Sequence, residues 1–518
     1  MDTYLPFSFT TSALILSFVF LFLTKWKKSK AANKLQKLPP GPMKLPIIGH
    51  MHLVSSLAHR SFRDLTKKYG PLMHLKLGET STIVVSSAEI AKEVLKTQDP
   101  TFAARPGTLA LEIISYNHTA ISFSPYDDYW RQMRRICILE LLSAKQVKSF
   151  GSIRNDEVLN LVKSIRSSAG KPINLTENII STMSATTCRA AFGKVCRDKE
   201  TLIKIMRKTL ALSGGFDLAD LFPSSKILKT LSWNKIKLLA MRRKLDEILD
   251  GIIDEHEENL AKMKNGSAQL NQAGDSTRRG NGEFGNEDLI DVFLREKESG
   301  ELEFPIHNDN IKAIISELFT AGTDSSSSII NWTMVELMRN PRVMAKAQAE
   351  VRETFKGQKT IDTQNLKYLK LVIKETLRLH SPLPLIPRAC REDCEVNGYF
   401  IPANAKVFIN IWGMGRDPEY WANPESYEPE RFENNPTDLT GNHFQYLPFG
   451  AGRRICPGLT FGLTGVELPL AQLLYNFDWK LPEGINPDNL NMIENSGMTA
   501  SRKEDLYLVA TPHDPSLE

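Results

Sequence analysis

The chain opens with an apolar run and is then patterned mostly for helices. From Thr3 to Thr24 there is no charge, and Ala13 to Leu23 is dense in Leu, Ile, Val and Phe. That length reaches the roughly 20 residues a helix needs to cross a bilayer, so residues 1–24 read as a single N-terminal transmembrane helix. A cleaved leader would place basic residues first; here Asp2 leads, and Lys25, Lys27, Lys28 and Lys30 follow the run. The positive-inside bias then puts the remainder in the cytosol, as expected of a single-pass anchor in the endoplasmic reticulum membrane. Residues 25–45 combine this basic stretch with Leu38-Pro39-Pro40-Gly41-Pro42, where prolines stop helix continuation. That segment reads as a hinge.

Residues 46–518 carry the rest. Strand patterns are few: Leu72 to Val85 alternates around Gly78-Glu79-Thr80 as a hairpin, and Asn397-Gly398, with Val407 to Ile411 nearby, suggests a second. Elsewhere the helical period dominates, predicting one domain, mainly α with small β-sheets. Ser267 to Glu287 is too polar to pack and reads as a mobile loop between two long helices. Ile311, Ile314, Ile315 and Leu318, then Ile329, Ile330, Val335 and Met338, mark one long buried helix. Between them Ala321-Gly322-Thr323-Asp324-Ser325-Ser326 interrupts with polar residues that favour a bend. Leu459 to Tyr475 forms another helix, with a kink expected at Pro469.

Composition narrows the function. A net charge of +5 over 518 residues is mild and argues against nucleic acid as a partner. Cys137, Cys188, Cys196, Cys390, Cys394 and Cys456 lack paired or zinc-type spacing, which suits a reducing compartment. Cys456 stands apart, in Phe449-Gly450-Ala451-Gly452-Arg453-Arg454-Ile455-Cys456-Pro457-Gly458. Two arginines precede it and a helix start follows, both of which favour a thiolate. Its anion is expected to form readily.

This loop resembles the haem-binding signature of the cytochrome P450 family, Phe-x-x-Gly-x-Arg-x-Cys-x-Gly, at every fixed position. The resemblance implies the cytochrome P450 fold, haem b as cofactor, Cys456 as axial ligand of its iron, and Phe449 and Arg454 at the haem, Arg454 on a propionate. Thiolate ligation favours O–O cleavage. The polar patch of the long helix is similar to the family's acid-alcohol pair, which makes Asp324 and Ser325 the residues relaying protons toward dioxygen. Threonine is more usual where Ser325 stands, and serine lacks the methyl that fixes the rotamer.

Three further motifs follow the same order as in the family. Glu375-Thr376-Leu377-Arg378 and Pro429-Glu430-Arg431-Phe432 imply a buried network of Glu375, Arg378 and Arg431 that braces the cysteine loop. Trp130-Arg131-Gln132-Met133-Arg134 places two donors, Trp130 and Arg134, on one helix face; by likeness these hold a propionate together with Arg388. Arg131, Arg135 and Arg453 are left for a basic surface facing an acidic redox partner. With no nicotinamide or flavin fingerprint in the chain, NADPH-cytochrome P450 reductase is the expected electron source.

By position, the substrate pocket falls on Ile113, Ile114, Phe319, Ala321, Leu385, Ile386 and Met498, mostly apolar side chains that suit a hydrocarbon-like ligand. The overall style is similar to the plant A-type microsomal branch. A monooxygenase acting on an apolar specialised metabolite is therefore expected, a terpenoid before an alkaloid or phenylpropanoid. A haem-thiolate isomerase or dehydratase, or a non-enzymatic haem binder, would have no need of Asp324 and Ser325.

Overall fold

The computed structural model describes residues 37–270, 287–356, 358 and 362–513. Helices dominate, and seven of them frame the site: α1 (Leu109–Ile114), α2 (Asp128–Cys137), α3 (Leu175–Phe192), α4 (Trp233–Leu270), α5 (Asn308–Arg339), α6 (Lys367–Leu379) and α7 (Leu459–Asn476). The strands are β1 (Leu72–Leu77), β2 (Thr80–Val85), β3 (Pro172–Asn174), β4 (Ile386–Ala389), β5 (Cys394–Val396), β6 (Tyr399–Ile401), β7 (Lys406–Ile409), β8 (Phe477–Lys480) and β9 (Tyr507–Pro512). They form sheets of order β1-β2-β7-β4, β3-β9-β8 and β5-β6.

The first hairpin closes through Gly78-Glu79, with Leu77 opposite Thr80. In the second, Asn397 and Gly398 both take positive φ, 49° and 74°, the backbone that a two-residue hairpin turn demands. Val407 to Ile409 does not join it. That stretch is β7, parallel to β2 and antiparallel to β4, so its apolar residues seal the large sheet.

Helix α5 spans the molecule. Its first half, Ile311 to Phe319, joins a core with Leu245, Leu249 and Ile253 of α4 and Cys188 and Phe192 of α3. Its second half, Ile329 to Leu337, enters a separate core with Val372 and Ile373 of α6 and Leu470 and Leu474 of α7. The polar patch lies between these two cores, and the helix runs through it unbroken.

Three expectations meet the structure differently. Helix α4 continues to Leu270, into the start of the segment read as a loop, while residues 271–286 lie outside the described residues. Pro469 is buried within α7, which is helical on both sides of it. Residues 39–42 lie along β1: His74 N donates to the Pro40 carbonyl at 2.9 Å, and the His50 ring meets the Pro42 carbonyl at 2.8 Å. Residues 1–24, expected from the sequence to cross a membrane, lie outside the described residues, and no helix among those described is long and apolar enough to cross a membrane.

Candidate active site

The cysteine loop is a tight turn pinned at both ends. Cys456 N donates to the Phe449 carbonyl at 2.9 Å, and Arg453 N donates to Asp99 Oδ2 at 2.7 Å. Gly452 has φ +71°, and a β-carbon there would fall 2.2 Å from the Leu95 carbonyl oxygen; only glycine fits. Helix α7 begins at Leu459 with Gly458 as its cap, so Pro457 lies just outside it.

Electrostatics around the sulfur differ from the sequence expectation. The surrounding protein atoms keep water from part of the Cys456 thiol and push it above its ordinary value, although the residue has an exposed face, against the opposing pull of the Gly458 N–H and the Arg134 guanidinium. Neither neighbouring arginine supplies that charge. Arg454 turns away to donate to the carbonyls of Ala103 (2.9 Å), Ile121 (3.2 Å) and Ser124 (2.7 Å), and Arg453 donates to the Tyr126 hydroxyl at 2.6 Å. Adjacency in sequence did not translate into proximity, because the loop reverses direction between residues 453 and 456.

Four guanidinium groups converge beside the loop. Arg388 is fully buried; burial first, then Arg454 and Arg134, pull its pKa down to about 9, opposed by Asp99. Burial and the Arg134 charge likewise bring Arg454 to about 10. Arg105, absent from the sequence motifs, is the fourth: it is held well below its ordinary value by burial and by Arg388, Arg454 and Arg134. Its guanidinium donates to the carbonyls of Ser122 (3.0 Å) and Pro387. The Nε of Arg388 is buried without an acceptor. Repelling cations with an unsatisfied buried donor fit a ligand that brings two carboxylates. The Trp130 indole N–H donates to the Ile121 carbonyl at 2.9 Å, as a buried donor must find an acceptor, and its ring carries Arg454 at 4.5 Å.

Behind the loop, Glu375 is fully enclosed and accepts from Arg378 at 2.8 and 2.7 Å and from Arg431 at 2.9 Å. Arg378 also donates to the carbonyls of Gly415, Pro424 and Ser426. The three residues thus tie α6 to the chain that leads into the cysteine loop.

On α5, the acid and the alcohol point to different partners. Ser325 Oγ donates to the Ala321 carbonyl at 2.7 Å, as Ser327 does to Thr323 at 2.6 Å. Asp324 instead faces the Thr499 hydroxyl. Burial raises its pKa to about 6, with Thr499 and the more distant Arg207 pulling the other way, and its Oδ2 is enclosed without a partner. Gly322 brings α3 close: a β-carbon there would stand 3.0 Å from Thr187 Oγ1. Two turns before Asp324, Glu317 is half-buried with its pKa raised by desolvation, and its Oε1 accepts from Ser122 N at 2.7 Å. A carboxylate seven residues from Asp324, on the same face of the helix, was the sequence signal for it.

The seven expected pocket residues divide. Leu385 and Met498 line an opening together with Leu111, Phe123, Phe408 and Thr499. Ile114 and Phe319 are buried in the core beneath. Ile113 packs at its edge, its carbonyl accepting from Arg242 at 2.6 Å. Ile386 is directed at the cysteine loop, where its Cδ1 would lie 3.9 Å from a β-carbon at Gly450. Ala321 is exposed on α5.

The sequence model of the family described as cytochrome P450 matches residues 39–507. The chain belongs to the cytochrome P450 family. Among curated relatives it is 56% identical over 517 residues to premnaspirodiene oxygenase of Hyoscyamus muticus, and 54% identical over 519 residues to 5-epiaristolochene 1,3-dihydroxylase of Nicotiana tabacum; each alignment spans 99% of both chains. Cytochrome P450 71D95 of Mentha spicata is 50% identical over 96% of this chain and 97% of its own. Among solved structures, a zebra fish cytochrome P450 with abiraterone superposes with a TM-score of 0.71 over 89% of this chain and all of that one, at 22% identity, which speaks to fold alone.

The protein is thus a plant A-type cytochrome P450, a haem-thiolate monooxygenase. The residues present fit the cofactor: Cys456 would ligate the iron, and the guanidinium cluster would take the carboxylates. The chemistry that haem supplies when bound is oxygen activation at an iron held by a thiolate, and coordination keeps such a sulfur deprotonated despite burial. In this cytochrome P450 the guanidinium cluster would hold the carboxylates, while Glu375, Arg378 and Arg431 tie α6 to the chain leading into the loop and α5 presents the Asp324 carboxyl group.

Proposed function

We propose that this cytochrome P450 inserts oxygen into a terpenoid hydrocarbon, with electrons delivered from NADPH through a separate reductase. The observation that carries the substrate class is the pair of relatives aligned over 99% of both chains, whose names give premnaspirodiene and 5-epiaristolochene as substrates. Both names denote terpenoid alkenes. An opening lined by Leu111, Phe123, Leu385, Phe408 and Met498 supports the same reading.

Within the site, Cys456 is proposed as the iron ligand, and Arg134, Arg388 and Arg454, beside Trp130, as the carboxylate-binding set. Asp324 is proposed as the proton-handling acid, with Ser325 next to it. Its pKa near 6 supports that role, since it exchanges protons near neutral pH. Arg131, Arg135 and Arg453 are exposed and would face the reductase.

A bilayer partner is supported by the apolar residues 3–24 and by large exposed apolar side chains. Met43 (89% exposed) and Ile47 (71%) follow the proline segment, and Leu231 (76%) and Trp233 (69%) stand at the start of α4. Large apolar side chains this exposed suit contact with lipid. The test is expression in microsomes with a plant reductase, feeding terpenoid hydrocarbons beside alkaloid and phenylpropanoid precursors. The expected result is an NADPH-dependent product from a terpenoid alone; turnover confined to another class refutes the substrate assignment.

A further inference from the structure

The opening that holds Leu385 and Met498 also holds a cation. Lys406 is the one lysine or arginine among its lining residues. It stands on β7 two residues from Phe408, so the pleat points both side chains to the same face, and both line the opening. Thr499, whose hydroxyl faces Asp324, lines it as well.

Lys406 is half-buried and has few protein partners. Its ammonium can donate three hydrogen bonds; among the described residues one is found, a long 3.3 Å contact to the Asp220 main-chain carbonyl. It forms no ion pair with a described carboxylate, although the Asp220 charge is near enough to oppose the fall in its pKa that burial causes. Asp220 is itself incomplete. One carboxyl oxygen accepts from Leu109 N at 2.7 Å, while the other, Oδ2, is buried without a partner. Spare donors on the wall of the opening suit a hydroxyl oxygen, which can accept from them. A bare hydrocarbon offers them no acceptor, and sites that hydrogen-bond a ligand discriminate strongly against analogues lacking the group.

We propose that Lys406, backed by Asp220, is a specificity-determining residue that binds a hydroxyl group on the substrate, so that the enzyme prefers a terpenoid alcohol to the parent hydrocarbon. This inference rests on the terpenoid reading above. It makes the opening a two-part site, with Leu385, Phe408 and Met498 for the hydrocarbon body and an ammonium for its oxygen.

The test uses the full-length holoenzyme and its Lys406→Met and Lys406→Arg variants, each checked for full haem content. Binding of 5-epiaristolochene and of its 1-alcohol is measured by equilibrium dialysis. The wild type should prefer the alcohol; Lys406→Met should cut that preference about tenfold, the size of one charge-assisted hydrogen bond, and Lys406→Arg should keep most of it. Equal weakening of both ligands by Lys406→Met would mark Lys406 as a structural tether to Asp220 and overturn the proposal. An unchanged preference would overturn it as well. If the wild type binds both ligands without preference, the proposal falls while the terpenoid reading stands; if it binds neither, both fall.

Discussion

Replacing Asp324 with Asn should make the protein slower and more stable at the same time. The carboxyl group is held at about 6 against an ordinary 3.8, chiefly because burial disfavours its charged form. A folded-state value raised in this way means that the folded chain binds the proton more tightly than the unfolded chain. Stability from this group is therefore complete below about pH 4 and is lost as pH rises toward 6. At 1.36 kcal/mol per pH unit, the loss grows from about pH 4 and levels off at about 3 kcal/mol above pH 7. Asp324 is half-buried, with one oxygen enclosed, so the exposed part of the group scales these figures down without changing their sign. Asn has the shape of the neutral acid and carries no such loss. Thermal melting of the holoprotein should then show Asp324→Asn melting above wild type at pH 8, with the gap narrowing toward pH 5. Turnover per haem should fall, by about 100-fold or more if Asp324 is a general acid. A variant that melts lower than wild type and turns over normally would make Asp324 a structural residue and refute the reasoning.

Three more consequences can be measured directly. Arg378→Ala strands the enclosed Glu375 with Arg431 as its remaining cation and removes the donor from three carbonyls; a cost of about 3–5 kcal/mol should appear as protein without haem, and full haem occupancy would contradict the bracing role. Gly452→Ala combines a left-handed backbone with a β-carbon 2.2 Å from a carbonyl oxygen, so haem content should again collapse; a variant that loads haem normally would show that the loop can shift. His256 pairs with Asp288 at 2.9 Å, and although burial lowers its pKa, Asp288 and the Ile252 carbonyl raise it further, leaving it above 6.5. The stability it contributes is complete below 6.5 and is lost as pH rises through the folded value, so urea midpoints should fall as pH rises above 6.5 in wild type and less so in His256→Gln; equal slopes would refute it.

What the sequence disclosed was local. Asn397-Gly398 announced its hairpin because a two-residue turn needs two positive φ angles, and the cysteine loop was legible because its glycines and its cysteine stand within ten residues. Glu375, Arg378 and Arg431 were readable as a set because two motifs fall in a fixed order. What stayed hidden depends on chain crossings. Arg105 reaches the site from a stretch with no motif, and Lys406 and Phe408 enter the opening only once β7 is inserted between β2 and β4. The direction of Arg454 could not be read either: its neighbour Cys456 faces Arg134, from a helix more than 300 residues earlier, while Arg454 serves carbonyls of residues 103, 121 and 124. Ser325 and Asp324 are adjacent, yet a helix turns about 100° per residue and sends them to different partners.

Isotope incorporation tests oxygen insertion into a terpenoid hydrocarbon. Microsomes containing the protein and a plant reductase are given 5-epiaristolochene and NADPH under labelled dioxygen, and products are weighed by mass spectrometry. The account predicts one labelled oxygen atom per hydroxylation and no product without NADPH. Product whose oxygen comes from water, or which forms without NADPH, would contradict it.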